Sequence, residues 1–342
     1  MPTHCFATML SRRLRVVAPL IALTLAACGG GSSTGTAPTP TTPTAPTTPT
    51  TPPAPSGFTV PAIGSGALLD VGTWNIEWFG DASNGPSDEV KQASQVRAVL
   101  AAAGVDIWGL QEVVSATSFR ELVNGLTGYV GVLATDAIVT DGARFYSDFN
   151  NTEQKVALIV NSAVASVLDA RVILVDKDYE FAGRPPVEFL VRVTLNGSVD
   201  TIPVIVLHAK AGSDATSYAR RLAASTALKN WAEQTYPARP VWIIGDFNDD
   251  FDTSITTGQP SPYEAFVRDT VRWSTPTKAL SDARIASTVS YPDIIDHHLL
   301  TRPAGLRYVA QSARAWRLDS IIPSYKSTTT DHYPVIAQYR TR

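Results

Sequence analysis

Four β-type runs follow one another between residues 155 and 207 with no helical pattern between them, and this succession constrains the fold more than any other feature of the chain. The runs cover 155–160, 170–175, 187–195 and 202–207, and each is short and rich in Val, Ile and Leu. On either side of them strands alternate with helices. Residues 68–74 and 106–111 read as strands. Residues 87–103 have helical spacing (Val90, Val96, Val99, Leu100), with Ser87 as the N-cap and Gly104 as the C-cap. Helices are expected at 118–126 and 217–235, and later strands at 241–244, 294–300 and 335–339. Consecutive strands combined with βα units point to mixed sheets. Two stacked sheets flanked by helices accommodate this many strands.

The first 57 residues stand apart. Arg12, Arg13 and Arg15 precede an apolar stretch from Val16 to Ala27, too short to span a bilayer unaided. It closes Leu25-Ala26-Ala27-Cys28, which resembles the lipobox of bacterial lipoproteins, where the cysteine is lipidated and becomes the mature N-terminus. That resemblance implies a signal peptide over 1–27, a membrane partner through a lipid anchor, and a place in the bacterial cell envelope. The chain's two cysteines are Cys5 and Cys28, so the mature protein forms no internal disulfide and must stand on its core. Residues 29–57 are Gly/Ser and then Thr/Pro/Ala, a composition that cannot bury enough apolar surface to offset chain entropy. Proline extends such a tether by roughly 3.1 Å per residue, a reach on the order of 80 Å. Residues 58–342 are globular and compatible with one large α/β domain. Loss of 1–27 removes three of 28 basic and none of 31 acidic residues, leaving a net charge of −6. That balance, with no basic block, argues against strong electrostatic capture of nucleic acid. No obligate protein partner is evident.

Polar residues recur where apolar strands end. Asn75 follows Thr73-Trp74, Glu112 follows Gly109-Leu110-Gln111, His208 follows Val206-Leu207, and Asp296 follows Ile294-Ile295. Asp331 and His332 precede the last strand. Val241-Trp242-Ile243-Ile244-Gly245 releases Asp246-Phe247-Asn248. Asp246 and Asn248 are two apart, so in extended chain they share a face and could orient a water; the same residues also suit an Asx turn. Taken singly, each ending has a structural explanation in a turn, a surface ion pair or a satisfied histidine. Several such endings in one fold point to a common site at the strand edges.

The ordered set Trp74-Asn75-Ile76, Gln111-Glu112-Val113, Leu207-His208, Gly245-Asp246-Phe247-Asn248, Ile295-Asp296-His297 and Thr330-Asp331-His332 resembles the endonuclease/exonuclease/phosphatase superfamily, which includes deoxyribonuclease-I-like enzymes. The resemblance spans nearly all of 68–342. It implies an α/β fold, a four-layer sandwich of two packed mixed β-sheets flanked by helices, and Mg²⁺-dependent hydrolysis of phosphoesters, with Mn²⁺ or Ca²⁺ as other ions. A hard cation takes oxygen ligands, and the resemblance makes Glu112 its ligand with Asn75 and Asp331 beside it. Asp246 would accept the proton of the attacking water and Asn248 would orient it. His332 would act on the phosphate or move a proton, with Asp296 fixing its tautomer. The sequence leaves the proton acceptor open between these groups. Glu153, just before the strand at 155, would pair with His208 as a second acid–histidine dyad.

Other polar and aromatic residues are read as structural. Tyr146 packs on the core; His297 and His298 face opposite ways on their strand; Trp74, Trp78, Trp108 and Trp242 are core; Arg220 and Arg221 form a solvated helix face. Lys210, in the loop after His208, could reach a phosphate. The expected activity is extracytoplasmic nuclease action on DNA or RNA. The alternative is a phosphatase or phosphodiesterase acting on lipid headgroups or small phosphates, and Asp249 and Asp250 after the Gly-Asp-Phe-Asn stretch disfavour a crowded anionic headgroup. An inactive binding scaffold is the reading least in keeping with a full set of catalytic positions.

Overall fold

The inward-facing rows of several central strands are apolar along their length and polar at one end, and the architecture follows from that. The computed structural model describes residues 57–147 and 153–342. In chain order the elements include β1 (Leu69–Phe79), α1 (Glu89–Ala103), β2 (Ile107–Val113), α2 (Ala116–Asn124), β3 (Tyr129–Leu133), β4 (Val139–Thr140), α3 (Gly142–Phe145), β5 (Lys155–Asn161), β6 (Ala165–Val172), β7 (Val187–Leu195), β8 (Ser198–His208), α4 (Ala215–Thr235), β9 (Trp242–Asp246), β10 (Trp273–Ser274), β11 (Asp296–Thr301), β12 (Arg314–Ala315) and β13 (Val335–Tyr339). They build a six-stranded sheet in the order β12-β13-β1-β2-β5-β3 and a seven-stranded sheet in the order β10-β11-β9-β8-β7-β6-β4. Both are mixed: β1 runs parallel to β2 and β8 to β9, and the other central pairs are antiparallel.

The sheets pack face to face. Val71, Ile107, Leu158, Val187, Phe189, Val204, Val206, Trp242 and Ile244 form the layer between them. The outer face of the first sheet packs through Trp74, Ile76, Trp108 and Leu110 against Val96, Val99 and Leu100 of α1 and Phe119 and Leu122 of α2. The outer face of the second packs through Ile205, Leu207, Ile243 and Leu299 against Leu228 and Ala232 of α4. Helix, sheet, sheet and helix make the four layers expected. Gly109 lets the sheets approach, since a Cβ there would sit 2.8 Å from Ile244 Cδ1. Gly245, at φ +153°, lies where a Cβ would meet the Leu207 carbonyl oxygen at 2.0 Å.

Several boundaries move. Helix α1 is capped by Asp88, whose side chain accepts the Lys91 N–H, and not by Ser87, although Gly104 does close it at φ +70°. Strand β8 starts earlier than its apolar run, its first residues pairing with β7 while partly exposed, and β6 covers Ala165–Val172 where 170–175 was expected. The leader, the Cys28 lipobox and the Thr/Pro run lie outside the described residues. Among the described residues no helix is long and apolar enough to cross a membrane.

Candidate active site

Strand alternation brings the polar ends together. The inner rows read Leu69-Val71-Thr73-Asn75 on β1, Ile202-Val204-Val206-His208 on β8, Trp242-Ile244-Asp246 on β9 and, running the other way, Leu300-His298-Asp296 on β11. The register sets His208 beside Asp246 and Asp246 opposite Asp296. All three cap the inter-sheet core at one end of the sandwich. A cleft of about 630 Å³ opens over them, lined also by Glu77, Glu112, Arg184, Asn248, Asp331 and His332.

Local backbone distortions complete the set. The β1–β2 ladder breaks after Asn75 and the β2–β5 ladder after Leu110. Glu77, Trp78 and Glu112 all take left-handed conformations, at φ +41°, +48° and +61°. Such kinks re-aim side chains at strand ends. Trp78 accordingly leaves the core expected for it, lines the cleft, and donates its backbone N–H to Glu112 Oε2 at 3.0 Å. Asn75 Nδ2 donates to Glu112 Oε1 at 3.0 Å and to Asp246 Oδ2 at 3.1 Å, while its Oδ1 accepts the Glu77 N–H. The Asp331 N–H is accepted by Glu77 Oε2 at 2.9 Å. Asn75, Glu112 and Asp331 therefore stand along one carboxylate-rich wall, with Asp331 tied to it through Glu77.

The opposite geometry belongs to the histidines. His332 Nδ1 lies 2.8 Å from Asp296 Oδ2, and Ser287 Oγ donates to that same oxygen at 2.7 Å. His332 Nε2 is 3.9 Å from Asp246 Oδ2 and 3.7 Å from Asp331 Oδ1. His208 Nε2 is 3.6 Å from Asp246 Oδ2 and 3.7 Å from Glu112 Oε1. Burial opposes charge on His332, but Asp296, its hydrogen bond, Asp246 and Asp331 together hold the imidazolium well above the usual histidine range. Burial and then Arg184 and His332 push His208 well below it. Asp246 is raised to about 7, first by burial and then by Asp296. Glu77 is also raised to about 7, by burial and then by Asp331 and Glu112.

Three sequence expectations are corrected here. Glu153 does not pair with His208: its carboxylate accepts the Ser147 N–H at 2.7 Å and hydroxyl at 2.6 Å, and the carboxylates nearest His208 are those of Asp246 and Glu112. Asn248 does not share an extended face with Asp246. It sits at φ +51°, donates its backbone N–H to Asp246 Oδ1 at 2.8 Å and its Nδ2 to the Ala209 carbonyl at 3.1 Å, so the Asx turn and the cleft position are one feature. Arg221 is not solvated but fully buried, paired with Asp249 at 2.8 Å. Asp249 thus faces Arg221 and the Ile255 N–H, and its charge does not argue against an anionic substrate. Tyr146 is buried in the core as expected, donating to the Pro185 carbonyl at 2.6 Å.

Glu77 and Arg184 are among the cleft residues that were missed. Glu77 lies two positions beyond Asn75, but the ladder breaks between them and its left-handed backbone departs from strand alternation. Arg184 sits in a Gly-Arg-Pro-Pro turn before β7 with no periodicity to mark it; its Nη2 donates to the Ala209 carbonyl at 3.0 Å.

The donor set fits a divalent cation. Glu77, Glu112, Asp246 and Asp331 face one cleft, where Asp331 and Glu112 add to the burial that raises Glu77, and a hard cation with oxygen ligands relieves that crowding of carboxylates. The tightest group of acid and imidazole ligand atoms among the described residues is Asp246, Asp296 and His332, within 4.8 Å of one another.

The Endonuclease/Exonuclease/phosphatase family model matches residues 72–332. No curated protein matches the sequence. Among solved structures, the 3′ phosphatase NExo from Neisseria bound to a product DNA hairpin is 15% identical at a TM-score of 0.54, covering 79% of this chain and 99% of that one. An AP endonuclease from Archaeoglobus fulgidus is 16% identical at 0.52, covering 79% and 99%. The human Nocturnin catalytic domain with bound sulfate is 17% identical at 0.53, covering 81% and 95%. At these identities the likeness is one of fold.

Proposed function

The chain belongs to the Endonuclease/Exonuclease/phosphatase family, whose members hydrolyse phosphoester bonds, and from that premise we propose that it is a Mg²⁺-dependent nuclease cleaving the phosphodiesters of DNA or RNA. The observation that carries this reading is the composition of the cleft: the carboxylates Glu77, Glu112 and Asp331 line one opening with Asp246, His332 and the guanidinium of Arg184. A phosphodiester anion would be repelled by the carboxylates alone, and a bound metal ion would turn that repulsion into attraction. Structural neighbours that include an AP endonuclease and a 3′ phosphatase bound to a DNA hairpin support nucleic acid over smaller phosphates.

Glu112 would hold the ion, with Asn75, Glu77 and Asp331 beside it. The bound ion supplies charge stabilisation for the phosphoryl oxygen and the leaving oxygen. Asn75, donating to both Glu112 and Asp246, fixes the distance between metal wall and base. Asp246 Oδ1 is held by the Asn248 N–H, which leaves Oδ2 facing the cleft to accept the proton of the attacking water. Asp296 takes the Nδ1–H of His332, so the imidazolium presents Nε2–H to a phosphate oxygen. His208, neutral at physiological pH, stands against Asp246 and Glu112 and positions both.

The test is nicking of supercoiled plasmid and hydrolysis of bis(p-nitrophenyl) phosphate by the purified protein. Both should proceed with Mg²⁺ or Mn²⁺ and stop in excess chelator. Full activity in chelator would sink the metal-dependent reading; turnover of small phosphoesters without nicking of DNA or cleavage of RNA would sink the nuclease reading.

A further inference from the structure

Beside the catalytic groups, the loop from β8 to α4 gathers positive charge that the chemistry above does not use. The Arg221 guanidinium pins that loop from within, donating through Nη1 to the carbonyls of Lys210 at 2.8 Å and Gly212 at 2.6 Å. Arg184 pins its start at the Ala209 carbonyl. Lys210 immediately precedes Ala211, Gly212 and Ser213, which line the cleft, and its Nζ is 2.5 Å from the Ala211 carbonyl oxygen. One helical turn further, Arg220 lies over the Tyr179 ring at 4.2 Å and donates Nε to the Tyr179 carbonyl at 2.9 Å. Only Arg221 of these four cations has a carboxylate partner among the described residues. Burial and then the neighbouring guanidiniums of Arg220, Arg184 and Arg221 push the Lys210 ammonium down, against the pull of Asp214. Arg184 in turn is lowered by burial first, with Arg220 adding to it. Asp214 lies near Lys210, and Glu112 and Asp246 near Arg184, yet among the described residues only Arg221 has a carboxylate within 4 Å, which leaves the other three cations able to meet an anion.

We propose that Lys210 and Arg220, continuing outward from Arg184, form a second phosphate subsite that holds the phosphate next to the scissile one, making the substrate a polynucleotide strand. Arg184 meets the scissile phosphate inside the cleft; Lys210 and Arg220 meet its neighbour on the rim. A monoester or a single phosphodiester has nothing to place there. The inference rests on the nuclease reading and deepens it.

Two substrates separate the roles: thymidylyl-thymidine, which has one phosphate, and a long oligothymidylate. The readout is the ratio of kcat/KM for the long strand to that for the dinucleotide, measured on the intact protein and its Lys210→Ala and Arg220→Ala variants. The ratio should fall about tenfold for each cation removed, equivalent to about 1.4 kcal/mol. The dependence of log kcat/KM on log salt for the long strand should become shallower by about 1 per variant. Lys210→Arg should restore both. An unchanged ratio and salt slope, in variants that melt with the parent, would overturn the subsite while leaving the nuclease reading intact. A parent enzyme that cleaves bis(p-nitrophenyl) phosphate but neither the thymidine substrates nor the corresponding uridylates would overturn the nuclease reading and the subsite with it.

Discussion

Among the described residues the chain has four histidines, all buried, and they divide into two pairs with opposite fates. His297 and His298 lie within β11, one on each face of the second sheet. His297 Nδ1 meets Thr277 Oγ1 at 2.9 Å and Nε2 the Asp249 carbonyl at 3.1 Å, and its ring stacks on Phe251 at 3.7 Å. His298 Nδ1 meets the Tyr339 hydroxyl at 2.8 Å and Nε2 the Val335 carbonyl at 3.1 Å. Every ring nitrogen of that pair is satisfied by a neutral group. His208 and His332 sit at the cleft with their Nε2 atoms 3.6–3.9 Å from carboxylates, beyond a full hydrogen bond, and His208 Nδ1 has no partner among the described residues. Burial alone therefore does not separate a structural histidine from a reactive one. The separation lies in unused hydrogen-bonding capacity beside a charge.

The comparison breaks if the two pairs respond alike to substitution. The largest contrast is expected in rate: His332→Asn should lower turnover on plasmid or bis(p-nitrophenyl) phosphate by ~10²–10⁴-fold, the usual contribution of a positioned acid–base group, with the melting temperature little changed. His298→Phe should do the reverse. It leaves the Tyr339 hydroxyl and the Val335 carbonyl without their partner, at a cost of roughly 1–3 kcal/mol in a denaturant titration, while turnover per folded molecule stays at the parent value. A rate loss in His298→Phe matching that of His332→Asn would erase the distinction.

A smaller effect sharpens it through pH. Burial drives His298 down to about 4 and His297 down to about 3, against about 6.5 for an unfolded histidine. Both are neutral in the native protein. As pH falls below about 6.5 the unfolded chain takes up protons that the folded chain refuses, so the stability they contribute is complete above that pH and is lost on the way down to the folded values. The slope is roughly 1.4 kcal/mol per pH unit for each histidine. Denaturant titrations between neutrality and pH 5 should show a shallower acid limb in His298→Phe than in the parent. Parallel limbs would mean that His298 is charged in the folded state.

Much of this was legible in the sequence, for a physical reason. Strand alternation is strict, so Asn75, His208, Asp246 and Asp296, each in step with apolar residues of an inner row, could be placed at strand ends facing the core without coordinates. What alternation cannot see is backbone that departs from it. Glu112 follows Gln111 and by period two should face the helices; a left-handed turn at φ +61° swings it into the cleft. Asn248 reaches the cleft through a turn and not through an extended strand. Glu153 was assigned by counting back from β5, and counting carries no information about which way a loop carboxylate turns; here the Ser147 N–H and hydroxyl take it. Strand β3 was missed because Gly131 weakens its β signal, yet that glycine is needed where α2 packs: a Cβ there would sit 2.5 Å from Val123 Cγ2 and 2.9 Å from Phe119 Cζ. Arg221 looked like a surface residue because its partner Asp249 is 28 positions away in sequence.

The central claim is that Asp246 is held for chemistry and not for the turn it also caps. Its Oδ1 accepts the Asn248 N–H, and its Oδ2 faces Asn75 and the two histidines. Asp246→Asn is isosteric and can keep the Oδ1 bond. Melting temperature and metal-supported turnover, measured on one preparation of that variant, separate the two roles. The account predicts a melting temperature close to the parent's and turnover reduced by ~10²–10⁴-fold. A protein destabilised by roughly 1 kcal/mol, with parental turnover per folded molecule, would contradict it.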